Sequence, residues 1–171
     1  MGQNNPTGHL KIVVAEGKVT LEDLHAALDH AAHCSVLVVA AAGNQGRVGS
    51  SVITAHPRVI PVVACDSKGR PTAESNLGSF IGRHGLAAPG ENIVSLRGDG
   101  KTQTTTGTSA AAPFVTGTIA LLLSEFPRAT ASQIKLALTA NANIDARSRR
   151  LCSMHGRPMK LRAGLGTPRD G

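Results

Sequence analysis

The chain has 171 residues, about one domain's worth, and 41% of them are apolar, enough to bury a sizeable core. With no Trp, no Tyr and three Phe, that core is aliphatic. The formal charge of +7 is uneven: seven Lys/Arg lie between positions 147 and 169 against one acid, Asp170, so a basic, flexible tail (147–171) follows a nearly neutral body (1–146).

Three cysteines, Cys34, Cys65 and Cys152, cannot all pair, and none has metal-ligand spacing, so no metal or other cofactor is called for. Cys34 and Cys65 flank apolar runs and read as small buried hydrophobes. The opening "MGQNNPTGHLKIVV" lacks the basic start and long apolar stretch of a secretory signal. No apolar run approaches bilayer-spanning length, so no membrane partner is expected, and the compartment stays open.

In chain order, a turn-rich opening precedes "TLEDLHAALDHAAH", where Leu21, Leu24, Leu28 and Ala31 make one helical face. Thr20 is placed to cap that helix, and Glu22 and Asp23 put acid in its first turn. His30 and His33 fall on its polar side and His25 borders its apolar face. Next, "SVLVVAA" (35–41) reads as a strand covered on both faces. It ends at the glycine-bracketed loop "AGNQG". A second such strand is "RVIPVVACD" (58–66). "GLAAPG" and "NIVSL" read as short strands joined by a Pro89-Gly90 turn. A helix follows over about 109–124, and a last one, "TASQIKLALTANA", opens with a Thr130/Gln133 capping box. Alternating helices and strands predict an α/β fold with a mostly parallel sheet.

In such a sheet chemistry gathers at the carboxyl ends of strands and the amino ends of helices, which singles out "AAGNQG" and "TTGTSA". Ser109 suits two roles there. As an N-cap its oxygen accepts from first-turn amides; as a nucleophile it has backbone amides and the positive helix end beside a developing oxyanion. Gly107 permits a tight turn, Ala110, Ala111 and Ala112 leave the helix mouth open, and Pro113 is expected in the first turn, where a missing donor costs nothing. Asn44 likewise is either an ordinary Gly-Asn turn residue or an amide donor to an oxyanion.

Taken together, "SVLVVAAAGNQG" and "GTSAAAPFVTGTIALLLSEFP" resemble the subtilases, the subtilisin-like serine proteases of the peptidase S8 family. Residues 107–113, with Val115 and Gly117, match the nucleophile motif G-T-S-x-A-x-P and its x-V-x-G helix. "HPRVIPVVACDSKGRPTAESNLG" and "GLAAPGENIVSL" are similar to further family segments, so the likeness covers about 1–142. It implies a three-layer subtilisin-like fold and hydrolysis of peptide or protein substrates. Ser109 would be the nucleophile, and Asn44 the oxyanion-hole side chain, aided by the Ser109 backbone amide. Ala41, Ala42 and Gly43 would wall the substrate pocket, with Gly107 and Thr108 beside them.

A subtilase also needs an aspartate in D-[ST]-G and a histidine in H-G-T-x-V-A-G, both before the serine, and neither motif occurs. Asp66-Ser67 is followed by Lys68, in what the family has as a surface turn. His84-Gly85 lacks the Thr and the helix, and the other histidines, His56 among them, have no such setting. "MGQNNPTG" resembles the family's entry into its oxyanion half, in wording similar to subtilases of the cyanobactin-maturation type. The chain therefore reads as a subtilase domain with its N-terminal part missing, and the missing half is a candidate partner. Without a base the serine hydroxyl stays protonated near neutral pH, and loss of the triad in subtilisin costs on the order of 10⁶ in turnover. Missing strands would also leave an apolar sheet edge exposed.

The other readings are a truncated, non-catalytic relic or peptide-binding scaffold and, least favoured, nucleic-acid binding through "RSRRLCSMHGRPMKLR", which has no interleaved aromatics. Calcium sites cannot be placed, because no acidic cluster with oxygen-ligand spacing is visible.

Overall fold

The computed structural model describes residues 20–142, with side chains described for 20–139. The turn-rich opening, His9, Cys152, His155 and the basic tail lie outside the described residues. The elements are α1 (Leu21–His33), β1 (Val38–Ala41), β2 (Val59–Cys65), α2 (Ser79–His84), β3 (Leu86–Pro89), β4 (Ile93–Leu96), β5 (Thr102–Thr105), α3 (Thr108–Glu125) and α4 (Ala131–Ala142).

β1, β2 and β3 form a parallel sheet in that spatial order. All seven residues of β2 are buried because it is the central strand, as its unbroken apolar run predicts. Each fully buried Val or Ile there contributes roughly 1.5–3 kcal/mol. Pro61 sits mid-strand, a position usually closed to proline in a central strand. Alternate residues of β2 divide the core. Ile60, Val62 and Ala64 pack with Ala111, Val115, Ile119 and Leu122 of α3 and with Ile134 and Leu138 of α4. Val63 packs with Ala42, Ala87 and Ile81 of α2 on a second cluster. Helices on both sheet faces give the expected three-layer α/β arrangement.

The predicted Thr20 cap and the predicted Thr130/Gln133 capping box both form, and the Thr20 cap proves to be a capping box too. Thr20 Oγ1 accepts from the Asp23 N–H while the Asp23 carboxylate accepts from the Thr20 N–H. Gln133 Oε1 accepts from the Thr130 N–H, and Thr130 Oγ1 accepts from the Gln133 N–H. Of the predicted apolar face of α1, Leu28 is buried, Leu24 and Ala31 are half-buried, and Leu21 is exposed.

Three expectations are corrected, for β1, Cys34 and Pro113, and three features go beyond what the sequence predicts. β1 is shorter than predicted and half-buried along its length, because among the described residues it pairs only with β2 and is the outer strand. Cys34 is exposed, since α1 ends at His33 and Cys34 caps it rather than entering the strand; Cys65 is buried, as expected. β3 and β4 do flank the Pro89-Gly90 turn but belong to different sheets: β3 joins β2, while β4 pairs antiparallel with β5. The polar run "TQTT" that forms β5 carries no apolar alternation, so that hairpin is absent from the sequence reading. The short α2 is missed for a similar reason, having one buried residue, Ile81. Pro113 is the sixth residue of α3, not in its first turn. It therefore withholds the N–H that the Ser109 carbonyl would accept in a regular helix.

Candidate active site

Three connections bring the two singled-out loops to the carboxyl end of the sheet. Beyond β1 the Ala42 N–H donates to the Val62 carbonyl at 2.8 Å, which carries the chain straight off the strand end into Gly43 and Asn44. Beyond β3 the Gly90 N–H donates to the Cys65 carbonyl at 3.1 Å. The Gly107 N–H then donates to the Gly90 carbonyl at 2.7 Å, so the mouth of α3 is tied to the strand that ends beneath it.

Gly107 is the N-cap of α3, with φ +129 and no side-chain capping bond. That settles one of the two roles open to Ser109: it is the second residue of the helix, not its cap, and it is exposed. No acid lies in the first turn, so the positive helix end, equivalent to about half an elementary charge, is not offset there.

Thr108 joins the loops. Its N–H donates to Asn44 Oδ1 at 2.8 Å, and its hydroxyl donates to the same oxygen at 2.9 Å. Thr108 Oγ1 in turn accepts from the Gly43 N–H at 3.1 Å. Because a backbone N–H is only a donor, the group facing it must be the amide oxygen of Asn44, and the Nδ2 donor is turned the other way. Gly107 is required here twice over. Its φ is one that side chains rarely adopt, and a Cβ would stand 2.8 Å from Asn44 Nδ2.

The structure thus brings together Gly43, Asn44, Gly107 and Thr108, with Ser109 next in the helix. Ala41 ends β1, Ala42 is buried, and Thr108 is fully buried between the loops. Sequence reasoning missed Asn76, whose Oδ1 accepts from the Gln45 and Arg47 N–H groups and whose Nδ2 donates to the Ala42 carbonyl. The one available signal was an amide side chain in the turn-like "ESNLG", which is weak.

The two decoys fall away on geometry. Asp66 closes its own surface turn: Oδ1 accepts from the Lys68 and Arg70 N–H groups, and Oδ2 accepts from Arg70 Nε. Hydrogen bonds from the Arg70 backbone and side chain hold its pKa below the usual carboxylate value. His84 is exposed at the end of α2, its ring 4.5 Å from that of Phe80.

One histidine has a setting the sequence did not reveal. His56 is buried, its Nε2 is 3.9 Å from Asp29 Oδ1, and the His25 ring stands edge-on at 5.1 Å. Its Nδ1 accepts from the Arg58 N–H at 3.3 Å, which leaves the proton of the neutral ring on Nε2, facing the aspartate. This pair stands before the amino end of β2, whereas Ser109 stands beyond the carboxyl end. Six steps of about 3.3 Å separate those ends by roughly 20 Å. Proton transfer needs hydrogen-bond reach, so His56 is not the base for Ser109. Nearby, Lys135 Nζ donates to the Pro57 carbonyl at 2.7 Å, and burial, aided by the Arg58 charge, lowers its pKa. That corner ties α1 and α4 to the foot of β2. Among the described residues no group of three or more His, Cys, Asp or Glu is placed to hold a metal ion.

Known proteins are similar to this chain in sequence and in fold. The subtilase family matches residues 11–161. Subtilisin DY from Bacillus licheniformis is 36% identical over 123 residues, covering 70% of this chain and 44% of that protein. A thermostable alkaline protease from Halalkalibacterium halodurans is 34% identical over 126 residues, covering 74% of this chain and 33% of that protein. Among solved structures, the self-cleaved protease domain of PatA superposes with a TM-score of 0.66 at 37% identity, covering 81% of this chain and 51% of that one. The prenylagaramide maturation protease PagA does so with 0.63 at 28% identity, covering 81% and 66%. The chain spans less than half the length of these two curated relatives. On the sequence match and the shared fold, the chain belongs to the subtilase family.

Proposed function

We propose that this chain carries the nucleophile and oxyanion half of a serine endopeptidase, with Ser109 attacking the scissile carbonyl of a peptide or protein substrate. The observation that carries the reading is the double hydrogen bond from Thr108 to Asn44 Oδ1, which orients the asparagine amide with Nδ2 as the remaining donor beside the helix mouth. Nδ2 and the Ser109 N–H are then the two donors to the oxyanion of the tetrahedral intermediate. Ala41, Ala42 and Gly43 wall the pocket for the residue before the cut, and Gly107 and Thr108 complete the floor. The base and its orienting acid come from outside these 171 residues. Residues 1–146 form this partial domain, and 147–171 are a basic appendage. The likeness to the prenylagaramide and patellamide maturation proteases PagA and PatA favours a role in maturation.

The test is a fluorophosphonate probe applied to the product of the complete reading frame. Labelling at Ser109 that disappears in Ser109→Ala is expected, and absence of labelling overturns the proposal. A second reading is a peptide-binding scaffold that does not cut, favoured by the His56–Asp29 pair lying before the amino end of β2, the end opposite Ser109. It predicts peptide retention without cleavage.

A further inference from the structure

We infer that Asn76 is a positioning residue that fixes the oxyanion loop from the side opposite Thr108; this rests on the reading of Asn44 as the oxyanion donor. The Asn76 side chain uses both ends of its amide on the loop. Oδ1 accepts from the Gln45 N–H at 3.1 Å and the Arg47 N–H at 3.0 Å, while Nδ2 donates to the Ala42 carbonyl at 3.1 Å and to Gln45 Oε1 at 2.7 Å. Its main-chain N–H donates to the Gly43 carbonyl at 2.9 Å. The bonded positions, 42, 43, 45 and 47, bracket Asn44 on both sides without touching its side chain.

The backbone around Asn76 extends the clamp. The Gly46 N–H donates to the Glu74 carbonyl, the Leu77 N–H to the Arg47 carbonyl, and the Gly49 N–H to the Leu77 carbonyl. Gly43 is shaped by this contact: its φ is +103, and a Cβ there would collide with the Asn76 amide. A glycine at 43 is therefore what lets the amide approach closely enough to reach both Ala42 and Gln45. No other side chain of this size offers an acceptor with two lone pairs and two coplanar donors; Asp keeps the first and loses the second. The loop is thus held by two independent anchors: Thr108 sets the rotation of the Asn44 amide, and Asn76 sets the path of the backbone that carries it.

The experiment compares Asn76→Ala and the isosteric Asn76→Asp in two readouts. In the isolated chain, hydrogen exchange and the Asn44 side-chain NH₂ resonance are followed by NMR. Asn76→Ala is expected to speed exchange at the Gln45 and Arg47 amides and shift the Asn44 resonance, with the amides of β2 and α3 remaining protected. Asn76→Asp, which keeps the acceptor, is expected to preserve slow exchange at Gln45 and Arg47. In the complete reading-frame product, fluorophosphonate labelling of Ser109 is expected to slow by about 10- to 100-fold in Asn76→Ala, the scale of a misplaced catalytic donor. That loss is expected to vanish in an Asn44→Ala background, because a loop that only positions Asn44 has nothing left to position. A merely structural residue would slow labelling equally in both backgrounds, and that additivity overturns the inference. An unchanged Asn44 resonance in Asn76→Ala overturns it as well. Failure of the wild-type protein to label overturns the protease reading instead, and the NMR comparison still decides the role of Asn76.

Discussion

Thr108 places two donors, its main-chain N–H and its hydroxyl, on one oxygen of Asn44, at 2.8 and 2.9 Å, across a sequence separation of 64 residues. One contact thereby fixes the rotation of an exposed amide that free rotation would otherwise average. Thr108→Val keeps the shape but removes the hydroxyl, leaving Oδ1 with one donor and the Gly43 N–H without its acceptor. Loss of a partner for a buried polar group costs about 1–3 kcal/mol. A lower urea midpoint with an unchanged denaturant slope is expected.

Asn44→Ala is expected to cost about 1–3 kcal/mol of stability, because it takes the shared acceptor from the N–H and hydroxyl of buried Thr108, and to act on chemistry as well. Loss of the corresponding asparagine in subtilisin itself costs about 10² to 10³ in turnover, and a loss of that size is carried over here. Labelling rates and peptide turnover of the complete reading-frame product, set beside its thermal midpoint, check both effects. A large stability loss with unchanged labelling would count against the assigned role.

Gly107→Ala combines a strained φ of +129 with a Cβ 2.8 Å from Asn44 Nδ2. The conformational strain alone is on the order of 1 kcal/mol or more. Labelling of Ser109 is expected to fall together with the unfolding midpoint. Gly98, where an added Cβ meets nothing, is the control, and Gly98→Ala is expected to leave labelling unaltered.

The Asp66 turn makes a prediction in acid. Its carboxylate is held below its ordinary pKa of 3.8 by the Arg70 backbone and side-chain hydrogen bonds. A depressed carboxylate stabilises the fold above its unfolded pKa, and that contribution disappears as pH falls through the lower, folded value. Stability is therefore expected to decline from about pH 4 downwards. Asp66→Asn should flatten this part of the profile while lowering the plateau at neutral pH, as read by thermal unfolding at a series of pH values.

Much of this was legible along the chain, for physical reasons that differ from element to element. The apolar run of β2 is long enough to demand a buried central strand, and it is one. Thr20 and Gln133 announce their helices because capping is a local contact made within three residues. The stretch 107–113 carried the family in its wording. What failed locally was whatever lacked a periodic apolar face: the polar β5, the six-residue α2 and the exposed Cys34.

Sequence alone determined the α/β class, the family and the identity of Ser109 and Asn44 as candidates, since each rests on residue type and short spacing. The tertiary structure decided which candidates meet. It showed that Ser109 is not the cap, that Thr108 ties the two loops together, that Asn76 holds one of them, and that His56 with its aspartate stands at the other end of β2. Hydrogen bonds reach about 3 Å whatever the sequence separation, so only the folded chain reveals which distant donors and acceptors share that reach.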